Sequence, residues 1–276
     1  MHLGKWITGC GIALMHVLVG IALVRGPTTA DWLAFAVLYP LGAIGVGIAM
    51  HRYFAHGAFT TSRPFRFFLA LCASLSFGNA LFFAGKHRIH HRHSDREGDV
   101  HAPAQGWWHC WFGSMLDCGY TRTEIEAEIG DHLAAPELRW LYRHPTAPGL
   151  VVCALLFAWG GFTAMAIGGL LGPVLLLHQS SAVNYFCHVS GYRRFRTRDA
   201  STNHPVVALL TYGEGWHNNH HRFPRAAHAG MRWWEPDLFF YIICLFEALG
   251  LVWQVQRVEP ARIEQALANG LQQEPA

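Results

Sequence analysis

Eight of the chain's 19 histidines fall into three tight groups: His51-x4-His56, His87-x2-His90-His91 and His217-x2-His220-His221. A ninth, His188, stands apart, four residues after Asn184. Gathering imidazoles costs desolvation and like-charge repulsion unless something holds the rings neutral, and a metal ion is the usual agent. In the second and third groups the first, fourth and fifth positions share one helix face, because residues three and four apart are neighbours there. The five-residue spacing of His51 and His56 suits a helix that ends between them. Asn184 and His188 point the same way from the end of one rod.

Nine imidazoles exceed the four ligands that close a zinc site and suit two ions of coordination number five or six. Imidazole serves zinc, copper, iron and nickel. Two redox-active irons beside a membrane imply oxygen activation, a histidine-rich counterpart of the carboxylate-rich soluble di-iron sites. Glu214, Asp95 and Asp99 lie close enough in sequence to orient imidazoles through their second nitrogen; solvated carboxylates are the competing reading. His93, His101 and His109 follow the second group and can shape its pocket. His16 and His178 sit inside apolar runs, where a polar residue needs a reason, and His178 is placed to line the same cavity as Asn184. His2, His132, His144, His204 and His228 read as solvent-facing or loop residues.

The elements that must position these rings are those of a membrane protein. The chain is 52% hydrophobic and only 14% charged, against about 25% charge in a soluble domain. Its seven cysteines show no metal-ribbon or disulfide spacing and read as small buried hydrophobes. Nothing suggests a nucleic-acid partner.

Spanning a bilayer takes about 20 apolar residues, and four carboxylate-free runs qualify: Ile7–Val24, Trp32–Met50, Leu150–Ile167 and Leu171–Val189. The first follows Lys5, but it is long for a signal peptide and lacks a good cleavage site. Links at Arg25–Asp31 and Gly168–Leu170 pair the runs into two antiparallel hairpins. Phe65–Ala84 cannot cross, since crossing would send the first two histidine groups to opposite faces. It is expected to lie at the interface or dip in and return. Leu238–Val255 is read as interfacial as well. Arg25 is then alone among the 21 Lys and Arg on the far side, so the histidine side is cytoplasmic by the positive-inside rule. Trp107, Trp108, Trp111, Trp233 and Trp234 fit an aromatic belt there. The polar tail from Glu259 carries no motif and reads as a short helix or frayed end.

HRYFAH (51–56), HRIHHRHSDREGDVH (87–101), NYFCH (184–188), GEGWHNNHHRFP (213–224) and AGMRWWEPD (229–237) together resemble the membrane fatty-acid desaturases, in particular the stearoyl-CoA desaturase-like branch. The resemblance runs from about Trp32 to Trp253. It implies one domain over 1–276: an all-α integral membrane protein with four transmembrane helices in two hairpins, beneath a cytosolic helical cap that holds a di-iron site. Carried over by motif, the metal ligands are His51, His56, His87, His90, His91, His188, His217, His220 and His221, with Asn184 reaching a metal through water.

The implied reaction uses two Fe ions, O2 and external electrons to place a cis double bond, most often at carbon nine, in a saturated acyl chain. An unactivated methylene has no acidic proton, so acid–base groups cannot break its C–H bond; a metal centre that activates O2 can, if the chain is fixed and water excluded. The apolar hairpins can supply the tunnel, with Phe35 and Tyr39 as candidates for its deep end. Two departures concern the carrier: Gly85-Lys86 stands where the acyl-CoA enzymes often have Arg-Asp, and Asn184 is followed by Tyr185 instead of serine. Lys86, and the cluster that begins with Arg193 and Arg194, are candidates for carrier phosphate or anionic lipid headgroups. No fused haem motif is expected, because His204-Pro205 continues as Val-Val. The expected donor is a separate ferredoxin, rubredoxin or b-type cytochrome with its reductase, at a bacterial inner membrane. The alternative is a related di-iron hydroxylase acting on lipid. A metal transporter fits poorly, since transport sites put ionisable groups near the midplane of several spans.

Overall fold

The computed structural model describes residues 2–271, with side chains from Gly4 to Ala268. Helix α1 runs over His2–Arg25. Helix α2, Thr29–Ala43, starts from a capping box between Thr28 and Asp31 and winds on as a π-helix through Ile44–Ala55. Three helices among the described residues are long and apolar enough to cross a membrane: Gly4–Arg25, Thr29–Ala55 and Ala147–Val189. Their side chains are largely outward-facing hydrocarbon, the make-up of a membrane protein.

The stretch Phe65–Ala84 does not form one rod. Helix α3, Arg63–Ser74, is capped by Ser62; helix α4, Ala80–His93, is capped by Asn79. Between them Phe77 takes a left-handed φ of 58°, and the chain doubles back. Helices α3 and α4 both pack against the π segment, so the first and second histidine groups meet on one side. Gly45 makes the fit of α3 possible. A Cβ there would run into the backbone of Cys72 and Ala73, which cannot swing aside as a side chain could. We expect Gly45→Ala to force the π segment and α3 apart at a cost of about 1–3 kcal/mol, read as a lowered melting temperature in detergent.

The third long helix is a hairpin in itself. Helix α5, Ala147–Ala164, contains Gly161 at φ 73°, ψ −158°; beyond it a π turn, Met165–Leu170, leads into α6, Leu171–Val189. The two arms lie side by side, since a Cβ on Gly168 would meet Leu156 and one on Gly169 would meet Cys153. The reversal therefore falls at Gly161, and the Gly168–Leu170 link expected from sequence is a packing surface instead. Both positions carry Gly-Gly pairs, and on a helix that is apolar all round no polar face marks where the turn must be.

The cap follows. Short helices α7, Pro205–Leu210, and α8, His217–Arg222, lead to α9, Leu238–Ala248, which Asp237 caps. Interfacial residues expected to 255 stop being helical at Ala248, and Val252–Trp253 (β2) pair antiparallel with Thr60–Thr61 (β1). This two-strand clasp is an exception to an otherwise helical fold. The tail forms α10, Pro260–Leu271, and docks Ile263, Ala266 and Leu267 on Phe195 and Phe223. The largest core packs Ile48, Phe54, Leu69, Phe239 and Ile243 around the π segment.

Candidate metal centre

The π winding explains the spacing in the first group. A π-helix closes i→i+5 bonds with about 4.4 residues per turn, so residues five apart lie nearly above one another, as they would not on an α-helix. His51 lies in the π segment and His56 terminates it; their rings are 5.0 Å apart. The helix ends at Ala55, between them, as the spacing suggested, but it does so in the wider winding. Arg88 then ties the end down, its guanidinium donating to the carbonyls of Phe54 and Ala55.

Helix α4 brings His87, His90 and His91, and α8 brings His217, His220 and His221. The two residues between the α8 histidines face away and lock that helix in place. The Asn218 side chain accepts from the N–H groups of Arg194 and Phe195, while Asn219 donates to Ala229 O and Glu235 and accepts from Asn203. His188 arrives from the end of α6.

The nine rings sort into two sets. In one, His51, His56, His87, His91 and His220 aim nitrogens at a common point; in the other, His90, His188, His217 and His221 do. Within the first set, Nε2 of His220 lies 3.0 Å from that of His51 and 2.9 Å from that of His91, which is itself 3.0 Å from that of His87. In the second, Nε2 of His217 lies 3.1 Å from that of His188 and 3.0 Å from that of His221. The Nε2 atoms of His56 and His90 are buried without a partner.

Protonation decides what these short separations mean. Four rings have Nδ1 engaged by a carboxylate: His51 by Glu214, His90 by Asp99 at 2.8 Å, His188 by Asp95 at 3.0 Å and His221 by Asp199 at 2.9 Å. A neutral ring carries one proton, and a carboxylate fixes it on Nδ1, so each Nε2 presents a bare lone pair to its neighbours. Lone pairs facing each other repel; a cation between them turns repulsion into ligation. Two nitrogens about 2.1 Å from one ion and at right angles lie about 3 Å apart, whereas tetrahedral ligands would stand nearer 3.4 Å. The observed 2.9–3.1 Å fits five- or six-coordinate ions better than tetrahedral zinc. Burial, then the neighbouring imidazoles, pushes His56, His87, His91, His217, His220 and His221 well below the usual histidine range, keeping them neutral. Burial alone would raise Glu214, but His51 and Arg52 outweigh it and hold the carboxyl at about 2.

A family model for fatty acid desaturases matches residues 30–252. The chain belongs to the fatty acid desaturase family. It is 35% identical to the icosanoyl-CoA 5-desaturase of Limnanthes douglasii, over 89% of this chain and 70% of that one. The sn-1 stearoyl-lipid 9-desaturase of Anabaena variabilis is 31% identical over 91% and 94% of the two chains, and the Delta-9 acyl-lipid desaturase 2 of Arabidopsis thaliana is 31% identical over 88% and 80%. This chain is thus a fatty acyl desaturase, an oxidoreductase of lipid metabolism.

Among the described residues, cavities open against the histidines. A narrow one of about 60 Å³ runs past His51, His87, Asn184 and His217 between apolar walls that include Val46, Leu176, Val183 and Phe239. A wider one of about 510 Å³ shares His87 and Asn184 with it and continues toward α1. Asn184 stands where the two meet.

Of the residues expected to meet substrate, Tyr39 lies behind the narrow cavity's wall, and its hydroxyl is 2.8 Å from that of Tyr212 and 2.7 Å from Gln179 Nε2. Tyr212 and Gln179 themselves line the cavity. Phe35 lines neither cavity and packs with Ala22, Ala166 and Ile167. Lys86 lines the wider cavity and donates to Ser114 O at 2.7 Å. Arg193 donates back to Thr197 and Asp199, and Arg194 turns in toward Glu235 at 3.7 Å. Neither arginine lines either cavity.

Three further residues complete the centre. Asp199, 22 positions before His221, had no nearby ligand to flag it. His101 stacks on His90 with ring centres 4.1 Å apart and lines the wider cavity. Arg52, inside the first motif, is buried between Glu214 and Asp237. His93 and His109 stay outside both groups, and His109 donates to or accepts nothing from them, meeting Val100 O instead. His178 does not line the cavities; it takes a hydrogen bond from Trp111 and faces His16 at 3.0 Å. Among the histidines expected in solvent, His144 is exposed and His204 caps α7, while His132 meets Phe54 O and His228 accepts from Val258 N. The side chain of His2 lies outside the described residues.

Proposed function

We propose that this desaturase uses two iron ions and O2 to place a cis double bond, at carbon nine, in a saturated acyl chain. The observation that supports it best is the meeting of two imidazole sets, poised for two ions, with a narrow apolar cavity. His51, His56, His87, His91 and His220 would hold one iron and His90, His188, His217 and His221 the other, with Asn184 beside them. When bound, such a pair supplies the O2 activation needed to break methylene C–H bonds.

The chain's own residues do the rest. Val46, Gly47, Leu176, Val183 and Phe239 grip the methylenes and keep water from the reacting carbons. The carboxylates on Nδ1 hold the rings in register. Four membrane spans, the third and fourth being the arms that meet at Gly161, put this site on the cytoplasmic face of the bacterial inner membrane. Electrons come from a separate ferredoxin, rubredoxin or b-type cytochrome.

The test is expression in a host lacking its own desaturase, then mass spectrometry of total acyl chains and metal analysis of the purified protein. A new monoene and about two irons per chain are expected. An added oxygen in place of an alkene would make the enzyme a hydroxylase, and absence of iron would overturn the reading.

The cavity end carries its own prediction. Discrimination of one methylene in an apolar pocket is worth about 1–3 kcal/mol. Tyr212→Ala opens the wall between the cavity and Tyr39, so the preferred substrate should lengthen, with Tyr39→Ala giving a smaller shift in the same direction. Unchanged product lengths in both variants would place the end of the tunnel elsewhere.

A further inference from the structure

We propose that the acyl chain enters sideways from the bilayer while still esterified to a glycerolipid, and not as a soluble coenzyme A thioester; this rests on the desaturase reading above. The wider cavity carries the argument. Thr8, Ile12 and Met15 of α1 form one of its walls, and their spacing puts all three on a single helix face. Thr8 is exposed, so the cavity reaches the surface on a helix that is otherwise clad in hydrocarbon.

Its level follows from a register. His16 of α1 faces His178 of α6, and the two rods run antiparallel. Eight residues back from His16 is Thr8, and eight residues on from His178 is Phe186, between Asn184 and His188. The mouth therefore opens beside the metal centre, about one helical turn below Lys5, which ion-pairs with Asp117 at the edge of the apolar span. One turn inside the end of an apolar span, it is the depth expected for the glycerol backbone of a bilayer lipid.

The sparse charge of this mouth favours a glycerolipid over the thioester. Coenzyme A brings three phosphate groups, which proteins recognise with arginine forks and free ammonium groups. Among the residues lining the wider cavity, Lys86 is the one Lys, Arg, Asp or Glu, a single ammonium that donates to Ser114 O. The arginines at 193 and 194 are engaged elsewhere on the cap. A glycerolipid needs no such cations, because its headgroup stays in the interface. The wall at the mouth is also the least buried of the long helices: 11% of the apolar window of α1 is buried, against 39% for the second helix.

A pulse of deuterated stearate to expressing cells, followed by mass spectrometry of intact phospholipids and of acyl thioesters, separates the two routes. We expect deuterated monoene to appear first in phospholipid, with the thioester pool still saturated. Monoene appearing first in the thioester pool would overturn the proposal and leave the desaturase reading intact; no monoene in either pool would overturn both. A second measurement tests the mouth. Thr8→Trp should slow monoene formation severalfold, while Val17→Trp, on the opposite and 56% exposed face of α1, should match the wild type. Equal rates in all three proteins would also overturn the proposal.

Discussion

His220→Ala is expected to abolish monoene formation and to halve the iron bound per chain. His220 is the hub of the first set: its Nε2 faces Nε2 of both His51 and His91 at 3.0 and 2.9 Å. Removing it takes away a ligand and leaves the remaining lone pairs without the geometry that favours a bound cation. The second set, on His90, His188, His217 and His221, keeps its own ligands. The measurement is elemental analysis beside acyl-chain profiling. Retention of both ions, or of product, would mean that His220 is not a ligand. Glu214→Gln should act in the same direction but more weakly, since losing the partner that orients a ligand typically costs about 10–100-fold in metal affinity or activity.

Arg52→Met is the second large effect, and it falls on folding. Arg52 is 3% exposed. Its guanidinium donates to Glu214 at 2.9 Å, to Asp237 at 2.9 Å and to Ala227 O at 2.7 Å. It thereby joins the π segment, the loop before α8 and the cap of α9. Methionine fills the volume but leaves two buried carboxylates without their cation, and breaking a buried pair in this way costs about 3–5 kcal/mol. Thermal unfolding in detergent should show a large drop in melting temperature before any loss of metal is considered. Adding Asp237→Asn to the variant removes one stranded charge and should recover part of the loss. If Arg52→Met melts like the wild type, the network is ornamental.

The histidines were legible because their spacing is periodic and their chemistry leaves few alternatives. The reading that Phe65–Ala84 turns back rested on the need for two ligand groups to converge, and the structure shows the break at Phe77. What escaped had no local signal. The hairpin turn at Gly161 lies in a segment apolar on every side, where periodicity says nothing. The π winding is a property of backbone pitch that residue types do not announce. Asp199 and His221 meet through tertiary folding alone. Arg52 was read as part of a ligand motif, and only the packing of Asp237 against it reveals the buried network. The tunnel end went to Tyr39 and Phe35 because both lie on the second helix, yet Tyr212 from the cap stands in front of Tyr39.

The position of Gly161 has a consequence for the surrounding lipid. The arm from Ala147 to that turn is about 21 Å long at 1.5 Å per residue, well short of a hydrocarbon layer of about 30 Å. On this flank the protein mismatches the membrane, while α1 and the continuous helix Thr29–Ala55 do not. The leaflet there is expected to pinch, with Trp140, half exposed just ahead of the arm, anchoring the depressed headgroups. A thinner host membrane would relieve the deformation, so the enzyme should favour short-chain or fluid surroundings, the state its own product creates.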